Sequence, residues 1–172
     1  MAGNWKIDSE NILLIKIEKK NIQIMQKVKL LLIALLLSAT VSAQTITKEQ
    51  SNVQQTVVKM FNALSNRDSV SLKTHCTADI TLYEYGQVWN MDTLILKAIT
   101  QNKSADFKRT NSFEFINTTV DKTTAWVTYR LQSVIIKDGK QATVQWLETV
   151  VLASERKQWK VNHLHSTLIK RS

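Results

Sequence analysis

Apolar positions along this chain follow two different rhythms, and the change between them divides a helical first half from a strand-rich second half. Val53, Val57, Met60, Phe61 and Leu64 recur at spacings of three and four, which predicts an amphipathic helix over residues 48–65. Ahead of it, Thr47-Lys-Glu-Gln50 carries a capping-box signal, with Gln three places after the candidate cap. Asp68 can cap a second, shorter helix, Ser69 to His75, whose apolar positions are Val70, Leu72 and Cys76. From Ile80 to Tyr85 the period becomes two, Gly86 marks a turn, and Gln87 to Trp89 is a short partner strand. Helical spacing returns over residues 92–102 through Leu94, Ile95, Ala98 and Ile99. The rest reads as four long strands, 107–118, 123–136, 141–153 and 158–170, with Asp138-Gly139 as a hairpin marker. Helices come first and a meander of strands follows, so the fold class is α+β, an antiparallel sheet with helices on one face.

The first 43 residues follow neither rhythm. From Met25 the chain runs MQKVK, then LLLIALLLSATV, then Ser42-Ala43 before Gln44: a basic start, an apolar run of about 12 residues and a small-residue cleavage site. This pattern predicts a secretory signal peptide over residues 25–43 with cleavage after Ala43. A membrane anchor is the competing reading, but it needs about 20 apolar residues. Residues 1–24 mix both charges and read as an extension upstream of a true start at Met25. Residues 44–172 then form one domain, exported to a periplasm or beyond the cell, with no membrane attachment after cleavage.

Composition narrows the partners. Hydrophobic residues make up 44% of the chain and five are Trp, enough for a packed core. Residues 44–172 hold 17 Lys and Arg against 11 Asp and Glu. The basic residues are scattered, as in Lys108-Arg109 and Lys170-Arg171, rather than interleaved with aromatics, which argues against nucleic acid. Cys76 is the single cysteine, so no internal disulfide can form.

The string VVKMFNALSNRDSVSLKTHCTADITLYE and the ending WKVNHLHS resemble the nuclear transport factor 2-like superfamily in its SnoaL-like branch, over about residues 49–170. The closing pattern is one residue short here, with Ser166 directly after His165. The resemblance implies a cystatin-like cone: a curved antiparallel sheet wrapped around three helices, open at one end onto an apolar pocket on the concave face. It also implies binders, dimerising modules, or enzymes of the lyase and isomerase type. Matched to ketosteroid isomerase, a helix tyrosine donor falls on Met60, the general base on Glu84, and a protonated aspartate nearest to Val144. Without those donors, that isomerisation is not expected.

Strand alternation supplies the candidate chemistry. It groups Trp159, Val161, His163 and His165 on one face, and Val144, Trp146, Glu148 and Val150 on another that would share the pocket, provided no bulge intervenes. Three readings compete for the histidines. They could be metal ligands completed by Glu148 or His75, acid–base catalysts oriented by Glu148 or working with Glu84, or hydrogen-bonded pocket lining. The last is favoured, so neither a metal nor a cofactor is expected. Tyr83, Tyr85, Trp89 and Tyr129 join Trp146, Glu148, His163 and His165 as candidate ligand-binding residues, although alternation sends Glu84 to the face opposite Tyr83 and Tyr85. Trp126 lies with Thr128, Arg130 and Gln132, opposite Ala125, Val127, Tyr129 and Leu131. An aromatic on that polar convex face predicts a homodimer interface. The expected function is an exported small-molecule-binding protein. The alternatives are a lyase or isomerase using a His/carboxylate pair and a dimerising protein-interaction module.

Overall fold

The computed structural model describes residues 16, 18–29 and 46–172. The chain divides into two compact units, Met1–Thr45 and Ile46–Ser172. In the first, residues 18–29 are helical and exposed (α1). The apolar run from residue 30 and the cleavage point after Ala43 lie outside the described residues. No helix among the described residues is long and apolar enough to cross a membrane.

In the second unit the element order is α2 (Lys48–Ser65), α3 (Ser69–His75), β1 (Cys76–Glu84), β2 (Gln87–Trp89), α4 (Met91–Ile95), a π-helical turn (Leu96–Thr100), β3 (Lys108–Asp121), β4 (Thr124–Lys137), β5 (Lys140–Glu155) and β6 (Gln158–Arg171). The caps follow from side chains that can accept from orphan backbone donors. Thr47 Oγ1 accepts from Gln50 N at 3.1 Å while Gln50 Oε1 accepts from Thr47 N at 2.8 Å, closing the capping box of α2. Asp68 accepts from the amides of Val70 and Ser71 at 3.0 and 2.9 Å and so starts α3. Turns with two residues at positive φ link β1 to β2 (Tyr85-Gly86) and β4 to β5 (Asp138-Gly139). Both have the signature of a type I′ turn, in which glycine at the second place relieves the backbone.

The sheet departs from the expected cone of antiparallel strands. Its order is β2-β1-β6-β5-β4-β3, and β1 pairs with β6 in parallel, so the sheet is mixed. It is also open. Among the described residues β2 and β3 are unpaired edges rather than neighbours, and closure needs every strand to pair on both sides. With only three residues, β2 is too short to carry the ladder around to the fourteen-residue β3. The third helix departs too, since α4 is a five-residue helix that widens into the π-helical turn.

Helices cover one face of this sheet. Val53, Val57, Met60, Phe61 and Leu64 of α2 are buried against Val127, Tyr129 and Leu131 of β4 and Val144, Trp146, Val150 and Leu152 of β5. Phe61, Phe113, Phe115 and Tyr129 form an aromatic knot there, with ring centroids 5.5–6.3 Å apart in mostly edge-on arrangements. Cys76 is buried at the start of β1, and burial pushes its thiol up to about 12, which makes it a packing residue.

Candidate functional site

One residue in β6 decides which side chains face the helices. The β5–β6 ladder pairs Leu152 with Val161 but Val151 with His163, so Asn162 is an extra residue and its position a β-bulge. Beyond the bulge Leu164 pairs with Val150 and Ser166 with Glu148, and both point toward the helices. His163 and His165 therefore face outward, correcting the alternation that grouped them with Val161. The cause is competition for the core. Burying Leu164 is worth about 1.5–3 kcal/mol relative to exposure, whereas a buried imidazole needs a partner. Asn162 is itself held, donating to Thr77 Oγ1 at 3.1 Å and Asp79 Oδ1 at 3.3 Å.

On the outer face the two histidines flank Tyr83, edge-on at centroid distances of 4.7 and 5.9 Å, and His163 Nδ1 bonds Thr81 Oγ1 at 2.8 Å. Tyr83 is 46% exposed and Trp126, on the same side, 40% exposed. His75 ends α3, away from both groups, in a separate groove that Trp159 also lines. Among the described residues no three His, Cys, Asp or Glu side chains converge to hold a metal ion.

The helix-covered face holds a cavity of about 380 Å³ between α2, α4, the π-helical turn and the sheet. Its walls are apolar: Met60, Phe61 and Leu64 from α2, Leu82 from β1, Leu94 from α4, and Ile135, Trp146 and Leu164 from the sheet. Tyr85 and Trp89 stand at the lining too, each beside a cation. Arg171 donates to Tyr85 Oη at 3.2 Å, and Lys97 lies 5.1 Å from the Trp89 ring centroid. Lys97 projects from the π-helical turn, a widened geometry frequent at functional sites.

Into this apolar space come two carboxyl groups and an arginine. Glu148 is 3% exposed; its Oε1 accepts from Ser166 Oγ at 3.0 Å. Its Oε2 and the neighbouring Tyr129 hydroxyl influence each other's ionisation, yet neither atom finds a partner in hydrogen-bond geometry. Burial raises the Glu148 carboxyl above the ordinary carboxylate range, against the pull of Tyr129, Ser166 and Arg109. Burial also raises Glu84, helped by repulsion from Glu148, and the result is about 7. The Tyr129 hydroxyl goes up as well, first through burial and then through the Glu148 charge.

Arg109 is fixed along one edge. Its Nε donates to Asn111 Oδ1 at 2.9 Å and Ser133 Oγ at 3.2 Å, and its guanidinium carbon lies 5.3 Å from the Phe61 centroid and 5.7 Å from that of Trp146. Among the described residues its terminal nitrogens make no hydrogen bond, and no carboxylate comes within 4.0 Å of it. Sequence reasoning passed over this residue as one of a scattered basic pair. The signal was available, because Arg109, Asn111, Phe113 and Phe115 alternate in step and the two phenylalanines point to the core. Ser166 was missed with the bulge. The structure thus brings Glu84, Tyr85, Trp89, Trp146 and Glu148 to one cavity, leaves Tyr129 in the core beside Glu148, and leaves Tyr83, His163 and His165 outside.

Comparison with known proteins places this geometry. A family profile described as "SnoaL-like domain" matches residues 53–169. No curated protein sequence matches. Among solved structures, a ketosteroid isomerase-like protein from Erwinia carotovora atroseptica superposes with a TM-score of 0.60 at 14% identity, covering 73% of this chain and 99% of that one. An NTF2-like protein from Cytophaga hutchinsonii gives 0.59 at 14% identity, with 72% and 100% covered. The S. rosetta CaMKII hub gives 0.57 at 20% identity, with 69% and 95% covered. At these identities the likeness is one of fold.

Proposed function

We propose that this chain, which belongs to the SnoaL-like domain family, binds a small, partly apolar molecule in the cavity between α2 and the sheet. The observation that carries this reading is the apolar cavity of about 380 Å³ whose lining includes Glu84, Arg109 and Glu148 from three different strands; buried polar atoms beside it add to the case. Tyr129 Oη, Glu148 Oε2 and Asn102 Oδ1 are buried outside hydrogen-bond geometry; Asn102 and Glu148 line the cavity, and Tyr129 lies beside Glu148. An unmet buried polar group costs about 1–3 kcal/mol, and most such groups in folded proteins are satisfied. A ligand that reaches some of them as the lining side chains adjust recovers part of that cost.

A neutral dye, N-phenylnaphthylamine, tests the reading by its fluorescence on the full chain. It should bind the wild type, and Ala98→Trp, which fills the cavity from the π-helical turn, should abolish the signal. Equal binding by the Ala98→Trp variant would remove the cavity from consideration.

A second reading is acid–base catalysis, favoured by Glu84. A carboxyl held at about 7 inside an apolar cavity can both take and return a proton near neutrality. The participants would be Glu84 and Glu148, since the histidines lie across the sheet. Met60 occupies the helix position where a tyrosine donor would stand, so an oxyanion would have to be met from Tyr129 or Arg109 instead. Deuterium exchange into an enolisable ketone in heavy water measures this. Glu84→Gln should lower the exchange rate by about 10²–10⁴-fold while the dye still binds.

Export with cleavage after Ala43 and dimerisation through the outer sheet face complete the proposal. The first rests on the pattern of residues 25–43 and is checked by sequencing the N-terminus of the protein from its host; an uncleaved chain would refute it. The second rests on Trp126, Leu147 and Ile116, exposed apolar residues on strands of that face. Light scattering should report a dimer that Trp126→Glu converts to a monomer.

A further inference from the structure

We infer that the ligand of this cavity is an organic anion, a small carboxylic acid with an aromatic or aliphatic body, seated with its charge on the open side of Arg109. The inference rests on the proposal that the cavity binds a small molecule and adds the chemistry of what it takes.

Arg109 is the first ground. A guanidinium beneath aromatic rings, tied at Nε and free at both terminal nitrogens, presents the planar fork that pairs with a carboxylate in two parallel hydrogen bonds. The guanidinium is half-buried and keeps its terminal nitrogens free for an anion, and the resident carboxyl groups do not reach it. Glu148 spends one oxygen on Ser166 and turns the other toward Tyr129. Glu84 stands near enough to feel Arg109, yet outside ion-pair distance.

The balance of charge is the second ground. The groups that face the space are Glu84 from β1, Tyr85 from its turn, Lys97 from the π-helical turn, Arg109 from β3, Lys137 from β4 and Arg171 from β6, together with Glu148 from β5 and the adjoining Tyr129 of β4. Helix α2 adds only Met60, Phe61 and Leu64. Four cations against two carboxyl groups leave the cavity positive whether or not those carboxyls are ionised. The phenyl and indole walls of Phe61, Trp89 and Trp146 then favour an apolar body behind the charge.

A proton accompanies the anion. Its charge raises the cost of ionising Glu84 and Glu148, so binding draws protons onto them, and affinity falls as pH rises through the free value of Glu84, near 7.

Calorimetry of the full chain with naphthoate and its neutral isostere naphthamide tests the assignment. Naphthoate should bind at least tenfold tighter than naphthamide at pH 6, and lose most of that advantage by pH 8.5. Arg109→Met should make the two equal, and Glu84→Gln should flatten the pH dependence while keeping the preference for the acid. The wild-type comparison needs no variant, so the assignment stays testable even if Arg109→Met fails to fold. Equal affinities for acid and amide, both abolished by Ala98→Trp, would overturn the anion assignment and leave the cavity reading standing. No binding of either compound, with no binding of the neutral dye, would overturn both.

Discussion

The two faces of this sheet carry polar residues of similar kind and treat them in opposite ways. On the outer face His163 bonds Thr81, both histidines pack edge-on against Tyr83, and Arg130 pairs with Glu114 at 3.1 Å in the open. On the helix-covered face Glu148 and Tyr129 are withdrawn from water and left partly unmet, and the half-buried Arg109 keeps its terminal nitrogens free. Satisfied polar groups at a surface hold a fold's exterior and contribute little to stability. Unmet groups in a cavity raise its energy and await something that completes them. The comparison teaches that exposure and hydrogen-bond accounting, rather than residue type, distinguish the candidate site. Histidine is the residue most often suspected of chemistry, and here it stands on the quieter side.

The most severe way to probe the contrast is to truncate one tyrosine from each face. Tyr129 is fully buried in the aromatic knot with Phe61, Phe113 and Phe115. Tyr129→Ala should cost about 3–5 kcal/mol in urea denaturation, and Tyr83→Ala less than about 1 kcal/mol. Next comes a pair of neighbours on β6. If the bulge at Asn162 sets the faces, Leu164→Ala costs about 2–4 kcal/mol and His163→Ala about 0.5 kcal/mol. A ladder without the bulge would reverse that order, so the two variants together test the assignment of faces.

That bulge also marks where the sequence ceased to be legible. The helices were readable because their caps are local: Thr47 with Gln50, and Asp68 ahead of Val70. The long strands were readable because Ala125, Val127, Tyr129 and Leu131 alternate without interruption. The faces of β6 were not, since strict alternation from Trp159 and Val161 runs straight to the histidines. A clue lay in the spacing of three between Val161 and Leu164, two buried aliphatics that cannot share a face of a regular strand. The parallel pairing of β1 with β6 joins residues some eighty positions apart, as in Leu82 with Leu164, and no local pattern announces it. Of the cavity's chemistry, Glu84 and Glu148 could be singled out as residues, while their mutual repulsion and the unmet edge of Arg109 exist only once distant strands meet.

A smaller effect follows from Glu84. Its folded value of about 7 stands above the ordinary 4.5, so between those limits the folded protein holds a proton that the unfolded chain releases. The group's contribution to stability is therefore fully present below pH 4.5 and lost as pH rises through about 7. Glu84→Gln should leave stability near pH 4.5 unchanged and raise it at pH 8 by about 1–2 kcal/mol, a figure kept low because the side chain retains some contact with solvent. No outer-face residue should show a comparable pH-dependent gain, and denaturation curves at the two pH values measure the difference.

The smallest expected effect is the most discriminating. Tyr129→Phe removes one hydroxyl and leaves the aromatic knot intact, so a hydroxyl that served the fold would be missed by about 1 kcal/mol. Here it meets only the Glu148 carboxyl, outside good hydrogen-bond geometry, and that carboxyl is itself costly to bury. Its loss should be neutral or slightly stabilising, within about 0.5 kcal/mol. The same substitution should weaken naphthoate binding several-fold if the hydroxyl is held in reserve for a ligand. Stability unchanged and affinity reduced would show that this side of the sheet keeps polar groups the fold itself does not use. Stability reduced and affinity unchanged would move Tyr129 into the ordinary core and narrow the site to Glu84, Arg109 and Glu148.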